Sequence, residues 1–159
     1  MSLSLRKLRH SDLDDYYMIV GDSEVMAYIT GEAYSFQEAE TELQRFVDRF
    51  GKHPVLGVWV AERNEDKAFV GIGGLIQVAE GSVDLGYRVL KEYWGSGYGF
   101  EIAKLLIEKA KSGKMDYLVA EVELENEASL NILEKLGFEE VEIKRNEMGN
   151  EVVFFKLFI

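Results

Sequence analysis

The chain has 159 residues, 47% apolar and 30% charged, with no cysteine and a net charge of −11 from 29 acidic and 18 basic side chains. That length fits one domain (1–159) with a core of its own, and the missing thiols exclude disulfide frameworks, thiolate zinc sites and a cysteine acyl-enzyme. The acidic balance, without a Lys/Arg cluster, argues against a nucleic-acid partner, and no run approaches the ~18 apolar residues of a membrane span.

Ser2–Leu8 alternates Leu3, Leu5 and Leu8 with polar residues, as a strand does. Ser11 and Asp12 then lead into Tyr16, Ile19 and Val20, acids standing where a helix N-terminus favours them. Ser35 and Glu38 have capping-box spacing and open a helix carrying Leu43, Phe46, Val47 and Phe50 at the 3.6 period, ended by Gly51. Val55–Glu62 and Ala68–Val78 read as hairpin strands, and Val83–Val89 as a third. After a glycine-rich loop, Ile102, Ala103, Leu106, Ile107 and Ala110 mark a helix stopping near Gly113. Tyr117–Leu124 is a strand, Ala128–Leu136 a short helix, and Glu140–Lys144 with Glu151–Ile159 a closing hairpin. Helices interleave with strands joined by tight turns, so an α/β (α+β) fold with a mixed, mostly antiparallel sheet is expected.

The segment from Tyr87 to Gly99 holds the most chemistry. A strand runs into Gly95-Ser96-Gly97-Tyr98-Gly99 and a long helix follows at once. Glycines let backbone N–H groups converge, and the helix start adds unpaired donors and a positive dipole end, a seat for a diphosphate. A Walker loop fails, because Phe100 and Glu101 follow Gly99 where Lys and Ser/Thr are needed. A dinucleotide fingerprint fits poorly, its third glycine arriving one residue early and past mid-chain. An acyl-CoA pyrophosphate loop fits; from the glycines alone, a flexible loop without a ligand stays open.

Trp94, Gly97 and Gly99 occupy the three fixed places of the Gln/Arg-x-x-Gly-x-Gly/Ala loop, so the segment resembles that of GNAT-superfamily N-acetyltransferases. Asp84-Leu85-Gly86-Tyr87, Tyr93-Trp94-Gly95 and Asn126-Glu127-Ala128-Ser129, followed by Leu133 to Phe138, are similar to the RimJ/RimL-type branch. The resemblance implies a GNAT-like sheet whose strands Val83–Val89 and Tyr117–Leu124 part around acetyl-CoA. Tyr87 and Val89 would meet the pantetheine arm through their backbone. Trp94, Gly95, Ser96, Gly97, Tyr98 and Gly99 would hold the pyrophosphate, Ser96 and Tyr98 through amides rather than side chains. Asn126 and Ser129 would complete the cofactor contacts.

The reaction implied is acetyl transfer to an amine, a protein N-terminus or a small molecule, by direct attack in a ternary complex. A lysine-like amine is only about 0.04% neutral at pH 7 and an α-amine about 10%, so a base is useful. Asp84 matches the acidic position used by some relatives; the alternative is a solvated strand carboxylate. Leu133 stands where many relatives carry an acidic tyrosine, so Ser129 is the expected acid, with helix capping as its other role. Trp94 departs from the family's basic or amide residue and equally suits a core or rim aromatic. A non-catalytic acyl-CoA-binding module remains the alternative function.

The remaining features point outward. Glu121, Glu123 and Glu125 alternate as a solvated face that could draw a cationic acceptor, and His10 and His53 read as surface residues with no metal site. Tyr16, Tyr17 and the Met26–Tyr34 segment fall where relatives build the acceptor wall, though such aromatics also suit a core. No charged-then-apolar leader is seen, so a cytoplasmic location is expected; the oligomeric state, including a homodimer, is not decided by the sequence.

Overall fold

In the computed structural model, which describes residues 2–79 and 81–159, apolar alternation sorts the strand side chains onto two faces of one sheet. The strands are β1 (Leu3–Lys7), β2 (Gly57–Arg63), β3 (Phe69–Ala79), β4 (Ser82–Val89), β5 (Tyr117–Glu123), β6 (Glu139–Arg145) and β7 (Glu151–Phe158). They are ordered β1-β2-β3-β4-β5-β7-β6. Every neighbouring pair is antiparallel except β4 with β5. A parallel pair needs a crossover. The helix after the glycine loop supplies it, so the expected mixed, mostly antiparallel sheet is what forms.

The helices are α1 (Leu13–Val20), α2 (Ser23–Met26), α3 (Phe36–Phe50), α4 (Tyr98–Ser112) and α5 (Glu127–Lys135). In β2, Val58 and Val60 join the cluster under α1 and α3, while Trp59 and Ala61 join the cluster under α4. That two-sided burial explains the unbroken apolar run of the strand. α4 lays fully buried Ile102, Ala103 and Leu106 against β3 and β4. Each large aliphatic side chain so buried stabilises the fold by ~1.5–3 kcal/mol.

α3 starts as expected: Glu38 N–H donates to Ser35 Oγ (3.1 Å) and Ser35 N–H to Glu38 Oε1 (2.9 Å). Other boundaries moved for local reasons. α2, absent from the sequence reading, is one turn capped by Asp22, whose Oδ1 accepts from Glu24 N (2.8 Å) and Val25 N (3.3 Å). Four residues carry no period to detect. β2 begins at Gly57 rather than Val55 because His53 Nδ1 accepts from Val55 N (3.0 Å) and Leu56 N (2.7 Å), curling the chain. His53 is exposed, as expected, yet it holds this turn. Among the described residues no helix is long and apolar enough to cross a membrane.

Candidate functional site

β4 and β5 touch at a single register point, Asp84 opposite Val119, and then part. On its other edge β4 stays paired with β3 as far as Val89. Leu90 N–H donates to Val70 O (3.0 Å), which fixes the phase of that ladder. Antiparallel alternation then turns the backbone groups of Gly86 and Arg88 toward β3, and those of Tyr87 and Val89 into the fork. The carbonyl of Val89 is taken by the Trp94 indole N–H at 2.9 Å. Trp94 is thus a rim residue, 47% exposed, tied to the strand that precedes its loop.

The fork opens onto the glycine loop. Gly95 and Gly97 have φ of +78° and +83°, and a Cβ built on either would meet nothing within 4 Å. Glycine is needed there for backbone handedness, and the loop's outer side is clear. Gly97 is also the N-cap of α4 and offers no side-chain acceptor, so first-turn amides point outward under the positive end of the helix dipole. Gly99 plays another part. A Cβ on it would lie 3.2 Å from Ile132 and 3.3 Å from the Tyr87 ring, so its bareness lets α4, α5 and β4 close up. Tyr98 is buried by its side chain, its ring edge-on to Tyr93 (5.8 Å) and its hydroxyl accepting from Arg63 Nη1 (3.4 Å). That ring pins the helix start. Ser96 is exposed and does not line the cavity that follows.

That cavity, about 1420 Å³, is lined by β4, β5, the loop, α5 and the α2 region. Asn126 and Ser129 face it together. Asn126 Oδ1 accepts from Ser129 N–H (3.4 Å), so Asn126 caps α5, which starts at Glu127, and the capping role considered for Ser129 belongs to its neighbour. The Tyr87 hydroxyl donates to Ser129 Oγ at 3.0 Å. Ser129 therefore keeps its own hydroxyl hydrogen to give. Burial pushes the Tyr87 phenol above its ordinary range, the hydrogen bond to Ser129 opposing this. Leu133 is 1% exposed, a core residue beneath the cavity wall.

Asp84 is half-buried where it lines the cavity. Burial first, and then the charge of Glu121, push its carboxyl up to about 7. The row of acids on β5 does not form one solvated face. Glu121 acts on Asp84, whereas Glu123 is buried and accepts from Asn146 (3.4 Å) and Asn150 (3.3 Å), fixing the β6–β7 turn.

Tyr16 is fully buried, and its hydroxyl donates to Glu42, which also accepts from the Tyr34 hydroxyl at 2.9 Å. Arg88 approaches the same carboxylate, Nη1 to Oε1 3.8 Å. Sequence reasoning missed Glu42 and Arg88; the available signal was an acid on the buried side of α3, beside Ala39 and Leu43. Met26 is core, while Tyr28 and Ile29 are exposed and line the large cavity. His10 lies at the surface, 3.7 Å from Asp48, and no metal-binding cluster exists among the described residues.

The family model described as "Acetyltransferase (GNAT) domain" matches residues 2–139. The "Uncharacterized N-acetyltransferase YoaA" of Bacillus subtilis (strain 168) is 25% identical over 150 residues, 92% of this chain and 84% of that protein. Among solved structures, an acetyltransferase (GNAT family) from Bacillus anthracis superposes with a TM-score of 0.87 at 18% identity, covering 99% of this chain and 95% of that one. A ribosomal-protein-alanine N-acetyltransferase from Brucella melitensis gives a TM-score of 0.77 at 24% identity over 98% and 99% of the two chains.

Proposed function

The chain belongs to the GNAT acetyltransferase family, and within that N-acetyltransferase activity we propose that it works as one domain of the RimJ/RimL type, acetylating the α-amine of a protein N-terminus or a small amine. The observation that carries this reading is the β4–β5 fork, which runs from a half-buried carboxyl at Asp84 to an open glycine cradle at the head of α4.

The residues present fit acetyl-CoA. Gly95 and Gly97 leave room and a backbone conformation for a diphosphate, and Tyr87 and Val89 offer main-chain groups along the fork. Acetyl-CoA supplies an activated acetyl group as a thioester. Asp84 accepts a proton from the incoming amine, directly or through water, its carboxyl pushed up to about 7. The Val89 N–H, turned into the fork, would donate to the thioester carbonyl. Ser129, held by the Tyr87 hydroxyl, would give a proton to the departing sulfur.

The acceptor side suits a cation. Glu24, Asp84, Glu121, Glu123 and Glu147 line the large cavity against Arg88 and Lys135. The test is acetyl-CoA consumption over peptides with free N-termini and small amines, alongside a melting-temperature shift with CoA. Turnover on an amine with a CoA-induced rise is expected. A folded protein that CoA does not stabilise and that acetylates no amine would overturn the reading.

A further inference from the structure

Behind β4, on the side away from α4, lies a second cavity of about 130 Å³ between the sheet, α1 and α3. Tyr16, Phe46, Gly74, Asp84, Gly86 and Arg88 line it, and Asp84, Gly86 and Arg88 also face the large cavity. The two spaces therefore meet across the same stretch of strand.

Asp84, Gly86 and Arg88 alternate onto one face of β4. A Cβ on Gly86 would meet nothing within 4 Å, so the strand face between Asp84 and Arg88 is open above Gly86. Arg88 Nη1 is buried and has no hydrogen-bond partner among the described residues. Its nearest acid, Glu42 Oε1, stands at 3.8 Å, beyond hydrogen-bond reach, and that carboxylate already accepts from the Tyr16 and Tyr34 hydroxyls. The guanidinium charge is balanced while an N–H remains to be given. A buried donor of that kind is costly until an oxygen meets it.

We propose that Asp84 and Arg88 form a two-point acceptor site that reads an amine together with an oxygen close to it, so that the preferred acceptors are N-terminal residues and amino acids rather than plain alkylamines. The amine faces Asp84, and the carbonyl or carboxylate oxygen, separated from it only by the α-carbon and carbonyl carbon, takes the Arg88 hydrogen. A cavity of 130 Å³ suits the body of one small residue. This inference rests on the N-acetyltransferase reading and narrows its substrate class.

The test compares a short peptide with N-terminal alanine, free alanine and isopropylamine as acceptors, at matched concentrations of neutral amine. The wild-type chain should favour at least one oxygen-bearing acceptor over isopropylamine by about tenfold or more in kcat/KM. The peptide and alanine arms tell a carbonyl from a carboxylate. Arg88→Met should collapse that preference toward parity, with the KM for acetyl-CoA changed by less than about twofold. Gly86→Ala, which fills the gap on a strand that accepts alanine, should raise acceptor KM and leave acetyl-CoA binding intact. It serves as the second variant should Arg88→Met not fold. Equal use of isopropylamine by the wild type, or a preference that survives Arg88→Met, overturns the two-point site while leaving N-acetyltransfer standing. Silence on every amine overturns the proposed function and this inference with it.

Discussion

Replacing Asp84 with asparagine separates what its half-buried carboxyl does for catalysis from what it costs the fold. Burial, then Glu121, move the carboxyl from 3.8 to about 7. About half of it is carboxylate at pH 7 and only about 1% at pH 5. Wild-type kcat/KM, corrected for ionisation of the amine, should rise about tenfold per pH unit below 7 and level off above it. Asp84→Asn cannot take a proton, so the activity should fall by about 10²–10⁴ and the acidic limb should vanish. Stability moves the other way. The folded chain holds the proton up to about 7, the unfolded chain loses it near 3.8, and in between the folded state binds more protons. Stability from this group is therefore fully present below about 3.8 and is lost as pH rises toward 7. Asparagine removes that loss, so the stability of the variant relative to wild type should grow by roughly 2–3 kcal/mol between pH 5 and pH 8. Urea melts at the two pH values, beside rate profiles, check both halves. A variant with wild-type rates, or one whose relative stability does not change with pH, would refute the reasoning. Glu121→Gln should shift the limb to lower pH without abolishing it, because burial is the larger cause.

Three further outcomes follow from single contacts. Gly97→Ala places a side chain at φ +83°, a strain of ~1–2 kcal/mol, in a loop whose outer side is otherwise clear. It should weaken acetyl-CoA binding about tenfold by calorimetry while the helical circular dichroism persists. Ser129→Ala should lower kcat by ~10²-fold or more, and Tyr87→Phe should lower it in the same direction but less, with CoA affinity retained in Tyr87→Phe. Tyr16→Phe removes one of two hydroxyls from the buried Glu42 and should cost ~1–3 kcal/mol in urea unfolding.

Strong local signals carried most of the fold into the sequence. The capping box at Ser35 and Glu38, the 3.6 period of α4 and the turn residues near 146–150 each needed only neighbours to be read. α2 was invisible because one turn has no period, and its cap Asp22 looks like any loop aspartate. At the site, the glycine loop was legible as a candidate anion seat, yet its residues separate by cause only in three dimensions. Gly97 answers to backbone handedness and Gly99 to the crowding of Tyr87 and Ile132, which arrive from distant segments. Helix capping stayed open as the other role of Ser129 because Ser and Asn are interchangeable in that role on paper. The long-range contacts were hidden altogether: Glu42 meets Tyr16 across 26 residues and Arg88 from another element. No window of sequence contains that cluster.

The net charge of −11 sets the two substrates apart. Acetyl-CoA is a polyanion, and the cradle proposed for it offers neutral amides and a helix end, which act only at contact distance. The protein's long-range field repels such a ligand, so salt should help it or leave it unaffected. An ammonium approaching a cavity walled by Glu24, Glu121 and Glu147 is drawn by that same field. Screening shortens the field's range from about 10 Å at 0.1 M salt toward about 3 Å at 1 M. Raising salt from about 0.02 M to about 0.5 M should thus lower kcat/KM for a cationic amine several-fold, up to roughly tenfold. Over the same range the KM for acetyl-CoA should hold steady or decrease. Parallel weakening of both substrates would mean that the cofactor is held by charged side chains, and that the amides at the head of α4 are not its principal anchor.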